Sequence, residues 1–106
     1  MTDDQKQEQI KLFERFLKYK FAVFYKEVPF TKLMKTDRIF RADYFVRPDI
    51  IIEINGGSWM IKGRHNFGTG YARDIYKINL AQYHGFKVFQ FTYECLKHGY
   101  YRHFIK

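Results

Sequence analysis

The sequence predicts a mixed α/β fold, a sheet of about four strands flanked by helices in the order α-β-β-β-α-β-α. Three observations predict it. Apolar residues recur at helical spacing over residues 3–19 and again over 71–84. Runs rich in aromatic and β-branched residues occupy 21–30, 38–46, 50–55 and 86–91. Turn formers punctuate these runs, with Pro48-Asp49 between the second and third and Gly85 before the last. The 106 residues are read as one domain, 1–106, because so short a chain rarely supports two independent cores.

Taken in order, the first helix is capped by Thr2 or Asp3 and carries acids in its first turn. Ile10, Phe13, Phe16 and Leu17 form its apolar face, with Leu12 at the edge. Glu8 and Glu14 flank that face and read as exposed helix charges. The strand at 21–30 has Pro29 near its end or on a sheet edge. Glu27, within it, can pair with Arg41 or Arg38 and reads as structural. Thr31 to Asp37 reads as a hairpin loop. Two strands follow, 38–46 and 50–55. Strand side chains alternate, so Ile51, Glu53 and Asn55 share one face and Ile50, Ile52 and Ile54 the other. Residues 58–70 hold several glycines and Trp59 without regular period, and read as an ordered functional loop. The helix at 71–84 places Ala72, Ile75, Tyr76, Asn79, Leu80 and Tyr83 at helical spacing, and Gly85 ends it. A strand at 86–91 leads to Thr92, which caps a last helix running to about 104. In it Tyr100, Tyr101 and Phe104 read as core or dimer contacts.

Composition narrows the function. A formal net charge of +8 and a pI near 9.6 favour a polyanionic partner, nucleic acid first and an acidic membrane surface second. At 46% hydrophobic residues, disorder across the whole chain is excluded. Cys95 is the single cysteine, which excludes an intrachain disulfide and a cysteine-rich zinc site. It also fits a reducing cytosol. The polar, acidic start Thr2-Asp3-Asp4-Gln5 is no signal peptide, and no apolar run reaches membrane length. A cytoplasmic location is therefore expected.

The chemistry concentrates between Phe40 and Gly57. Asp43 sits among Phe40, Ala42, Tyr44 and Phe45, and Glu53 interrupts the run Ile50-Ile51-Ile52 before Ile54. An acid in such a run is costly to bury unless it is paired or binds a metal. Two of them on adjacent strands, followed by Gly56-Gly57, suggest a site for a hard cation such as Mg²⁺. Pairing with a neighbouring arginine is the other reading, and the pattern alone leaves both open. Lys62, Arg64 and His65 offer donors for phosphate.

The ordered set of elements resembles the PD-(D/E)XK nuclease superfamily, the restriction-endonuclease-like fold, and within it small phage-type endonucleases. The residues that carry the resemblance are Phe40-Arg41-Ala42-Asp43-Tyr44, Glu53-Ile54-Asn55-Gly56-Gly57, Gly63-Arg64-His65, Asp74-Ile75-Tyr76-Lys77-Ile78-Asn79 and the strand Gly85 to Thr92. Asn55 stands where the family's motif has its lysine, and the resemblance passes that role to Lys77 on the following helix. It implies Mg²⁺, with Mn²⁺ able to substitute, held by Asp43, Glu53 and the Ile54 carbonyl. It implies catalytic roles for Asp43, Glu53, Asn55 and Lys77, and nucleic-acid contacts at Arg41, Lys62, Arg64, His65 and Arg73. The other reading of Lys77 is a surface pair with Asp74, three residues before it. The activity implied is metal-dependent hydrolysis of DNA phosphodiesters, structure-specific for branched or nicked DNA, in phage or mobile-element DNA processing. A homodimer is among the expected assemblies, the host cytoplasm the expected place, and RNA stays open as a substrate. The alternatives are a catalytically inactive nucleic-acid-binding module with the same fold, favoured by Asn55, and a subunit of a larger assembly.

Overall fold

The computed structural model describes residues 1–55 and 69–105. Helix α1 (Asp3–Phe21) opens with a reciprocal cap. Thr2 Oγ1 accepts the Gln5 amide at 3.2 Å, and Gln5 Oε1 accepts the Thr2 amide at 2.8 Å. The helix runs two residues past its expected end near 19. No breaker stands there, and Phe21 packs on the core, so the helix continues until Ala22 turns out at φ 66°.

Strand β1 (Tyr25–Pro29) is shorter than the expected 21–30, because α1 takes Phe21, Ala22 caps it in a turn, and Phe30 passes into the next element. A 3₁₀ turn (Phe30–Lys32) follows, anchored by the fully buried Phe30. Strand β2 (Arg41–Val46) begins at 41 rather than 38. Before it the Phe40 carbonyl accepts the Phe30 amide at 2.9 Å, one step on in the β1–β2 register, where β1 has already passed into the 3₁₀ turn and the regular ladder ends. Then come β3 (Ile50–Asn55), α2 (Thr69–Tyr83) and β4 (Lys87–Thr92). The expected single last helix is two, α3 (Tyr93–His98) and α4 (Tyr101–Phe104). Thr92 Oγ1 caps α3 by accepting the Cys95 amide at 3.1 Å. Gly99, at φ 73°, ends it in the left-handed conformation that glycine adopts without a Cβ penalty.

The sheet has the order β1-β2-β3-β4, antiparallel through β3, with β4 parallel to β3. Its two faces carry separate cores. On one, Ile52 packs with Phe13 and Leu17 of α1, Leu96 of α3 and Tyr101 of α4, joined by the partly buried Ile50 and Ile54. Phe13 meets the rings of Tyr44, Phe91 and Tyr101 edge-on, at centroid distances of 5.4, 6.2 and 4.9 Å. On the other, Ile51 packs with Phe30, Met34, Phe40 and Ala81 of α2. Both faces of β3 are thus covered, which is why it reads as one nearly unbroken apolar run.

Helix α2 turns a different face to the sheet from the one its apolar residues suggest. Ile75, Tyr76 and Tyr83 are exposed, while Ala81 is buried and Leu80 packs beside it. The small Ala81 lets the helix approach closely, and the turn before it then carries Lys77 over the sheet. Glu14 also departs from expectation. Its side chain is largely covered, taking the Tyr44 hydroxyl at 2.7 Å and the Lys26 ammonium at 2.8 Å, and so ties α1 to β1 and β2. Of the three aromatic residues at the C-terminal end, Tyr101 is core, whereas Tyr100 and Phe104 are exposed. Among the described residues no helix is long and apolar enough to cross a membrane.

Candidate active site

Register brings the two acids together. Strands β2 and β3 pair Val46 with Ile50, Phe45 with Ile51 and Tyr44 with Ile52. One further step sets Asp43 opposite Glu53, on the face that α2 covers. There the carboxylates replace backbone partners. Glu53 Oε2 accepts the Asp43 amide at 3.0 Å, and Asp43 Oδ2 accepts the Ile54 amide at 2.8 Å. The Lys77 ammonium reaches down from α2 to Glu53 Oε1, in a contact that is both hydrogen bond and ion pair. Lys77 thus pairs with Glu53 and not with Asp74, which is exposed.

The electrostatics are in conflict. Glu53 is only 4% exposed, and burial pushes its carboxyl from 4.5 up to about 7. The Asp43 charge pushes the same way, while Lys77 and the Asp43 amide pull it back. Asp43 is also raised, chiefly by burial and further by Glu27, against the Ile54 amide and Lys77. Two carboxylates therefore share one ammonium, and when both are ionised the pair keeps a surplus negative charge in a poorly solvated place. A cation would relieve it. The donors are hard carboxylate oxygens, each with a lone pair beyond its present bond, which fits a divalent metal of the Mg²⁺ kind. Among the described residues no three His, Cys, Asp or Glu gather around one point. Two carboxylates suit Mg²⁺, which keeps water and phosphate oxygens in its shell.

Two neighbours went unrecognised in the sequence. Continuing the β1–β2 register places Glu27 opposite Asp43, and Gln90 of β4 pairs directly with Glu53. A polar row of Glu27, Asp43, Glu53 and Gln90 so crosses all four strands. Its only signal is the strand register, which no single strand reveals. Glu27 has positive φ, 54°, and among the described residues forms no ion pair with Arg41 or Arg38.

Arg41 opens β2 and is exposed, one residue short of the Ala42-Asp43 step. Arg73, also exposed, precedes Lys77 by one helical turn and lies 5.5 Å from the Phe40 ring centroid. Asn55 closes β3 beside Thr92, and its side chain is outside the described structure. Lys62, Arg64 and His65, with most of the glycine-rich loop, lie outside the described residues; Thr69 and Gly70 belong to α2. No protein-family model, curated protein or solved structure matches the chain.

Proposed function

We propose that the chain is a metal-dependent DNA endonuclease with the restriction-endonuclease-like core of the PD-(D/E)XK superfamily. One observation carries the reading. Asp43 and Glu53 face each other across β2 and β3, and Lys77, from the helix that follows, bonds Glu53. Asp43 and Glu53, with the Ile54 carbonyl, are the groups that would hold Mg²⁺ or Mn²⁺. Such an ion, when bound, acidifies a water and neutralises charge building on the phosphoryl oxygens. The chain's own part is to fix geometry. The Asp43 and Ile54 amides lock both carboxylates in place before substrate arrives. Lys77 presents a largely buried ammonium beside them, where a scissile phosphate would meet a preset positive charge. Asn55 hydrogen-bonds the attacking water without supplying charge. Arg41 and Arg73, with Lys62, Arg64 and His65, contact the DNA backbone, and such contacts fix position rather than sequence.

The test is cleavage of labelled linear duplex, single-stranded and four-way-junction DNA by purified protein with Mg²⁺ or Mn²⁺. EDTA and Asp43→Ala are expected to abolish cutting, and Lys77→Ala to slow it by roughly a hundredfold or more. The ranking of substrates separates a structure-specific enzyme from a general one. A second reading has its own support: both Glu53 oxygens already have internal partners, as in a structural clasp. DNA bound tightly at low salt yet uncut with either metal would establish that inactive binding module instead.

A further inference from the structure

A second built feature adjoins the acids. The segment before β2 lies beyond the regular strand and is held in place. Phe40 is buried, its carbonyl accepts the Phe30 amide, and the Arg38 amide donates to Thr36 Oγ1 at 3.2 Å. Against α2 it leaves a hollow of about 370 Å³ lined by Asp37, Arg38, Ile39, Phe40 and Arg73. Two guanidinium groups stack on two rings at its wall. Arg38 lies 4.3 Å from the Tyr76 centroid and 5.4 Å from that of Phe40, and Arg73 lies 5.5 Å from Phe40. Among the described residues neither arginine has a carboxylate in an ion pair, although Asp37 lines the same hollow. Arg73 precedes Lys77 by one turn of α2, and the Phe40 end of the lining leads through Arg41 into Asp43 of β2, so the same two elements carry the hollow and the acid pair.

The chemistry of the lining selects its occupant. A guanidinium that sits over a ring keeps N–H groups free for phosphate oxygens. Its free face stacks on a nucleobase. Ile39, 84% exposed, offers an apolar surface that a phosphate backbone does not use. Asp37 repels phosphate but accepts a hydrogen bond from a base's exocyclic amine. A duplex backbone alone would favour neither Ile39 nor Asp37. We infer that this hollow receives one unpaired nucleotide of a DNA strand whose adjoining phosphate reaches Asp43, Glu53 and Lys77. Arg38 stacks the base against Ile39, and Arg73 takes the phosphate. The inference rests on the nuclease reading and names its substrate class, DNA with a displaced or unpaired nucleotide beside the cut.

Fluorescence anisotropy in EDTA tests it without catalysis, using labelled flapped duplex, single-stranded and fully paired DNA of one length. The wild type is expected to bind the flapped and single-stranded DNA at least about fivefold more tightly than the paired duplex. Arg38→Ala and Arg38→Lys, both at an exposed position, should remove that preference while changing duplex affinity by no more than about twofold. Thermal melting of each variant confirms the fold. Equal loss for all three DNAs would reduce Arg38 to an ordinary phosphate contact, and no loss would empty the hollow of any role; either result overturns the inference. A ribo-oligonucleotide that binds more tightly than its DNA counterpart overturns the commitment to DNA. The cleavage assay keeps the two readings apart. An Arg38-dependent preference with no cutting preserves the hollow and removes the nuclease, and cutting without the preference does the reverse.

Discussion

At the scale of the residue, the acid pair is a place where the fold bears an electrostatic cost. Burial raises the pKa of both acids, the Asp43 charge raises Glu53 further, and one lysine lowers both. Asp43→Asn keeps an oxygen for the Ile54 amide and removes one of the opposed charges. It should therefore raise the melting temperature of metal-free protein by about 4–8 °C, corresponding to about 1 kcal/mol, while ending both Mg²⁺-dependent stabilisation and cleavage. A lower melting temperature would contradict the charge conflict. The same conflict sets a pH dependence. Glu53 has its folded-state pKa raised from 4.5 to about 7, so the fold holds a proton there that the unfolded chain releases earlier. Its stabilising contribution is complete below about 4.5 and disappears as pH rises to about 7. The loss is on the order of 3 kcal/mol. Urea titrations in EDTA across that range should show the decline in the wild type and a flatter profile in Glu53→Gln. Both acids were legible in the sequence because a charge inside an aromatic or β-branched run stands out. Glu14 was not, because only the fold brings the Tyr44 hydroxyl to it.

At the scale of the element, α2 decides where the lysine goes. Of its stripe of Ala72, Ile75, Tyr76, Asn79, Leu80 and Tyr83, Leu80 packs on the core while Ile75, Tyr76 and Tyr83 are exposed, so periodicity alone could not choose the buried face. Contact with the sheet chooses, through Ala81, which is 1% exposed. Ala81→Leu should push the helix outward, cost about 1–3 kcal/mol in chemical denaturation, and slow cleavage by drawing Lys77 away from Glu53. Loss of stability with unchanged cleavage would show that the lysine's reach tolerates the shift. Element ends were legible where local chemistry fixes them, as at the Thr2 and Thr92 caps. They were not where packing or a single glycine intervenes, as at Phe21 and Gly99.

At the scale of the whole molecule, the order of elements and the two-layer covering of β3 follow from hydrophobic periodicity. What the sequence could not show was the row running across the sheet, since register is a relation between strands. The net charge of +8 gives a prediction at this scale. DNA affinity should fall linearly with salt on logarithmic axes, with a slope near 0.9 per phosphate contacted. Arg73→Ala should lessen that slope by about one. An affinity unchanged by salt would exclude a backbone-contacting surface.

The amides of Asp43 and Ile54 donate to the very carboxylates proposed to bind metal. The site therefore carries its own spectroscopic reporters. In ¹⁵N-labelled protein, titration with Mg²⁺ should move these two amide resonances before and further than those of Phe45 and Ile51, which lie deeper in the ladder, and Asp43→Ala should silence the Ile54 response. Ion occupancy could then be followed from the backbone alone, with no substrate present and no bond cut.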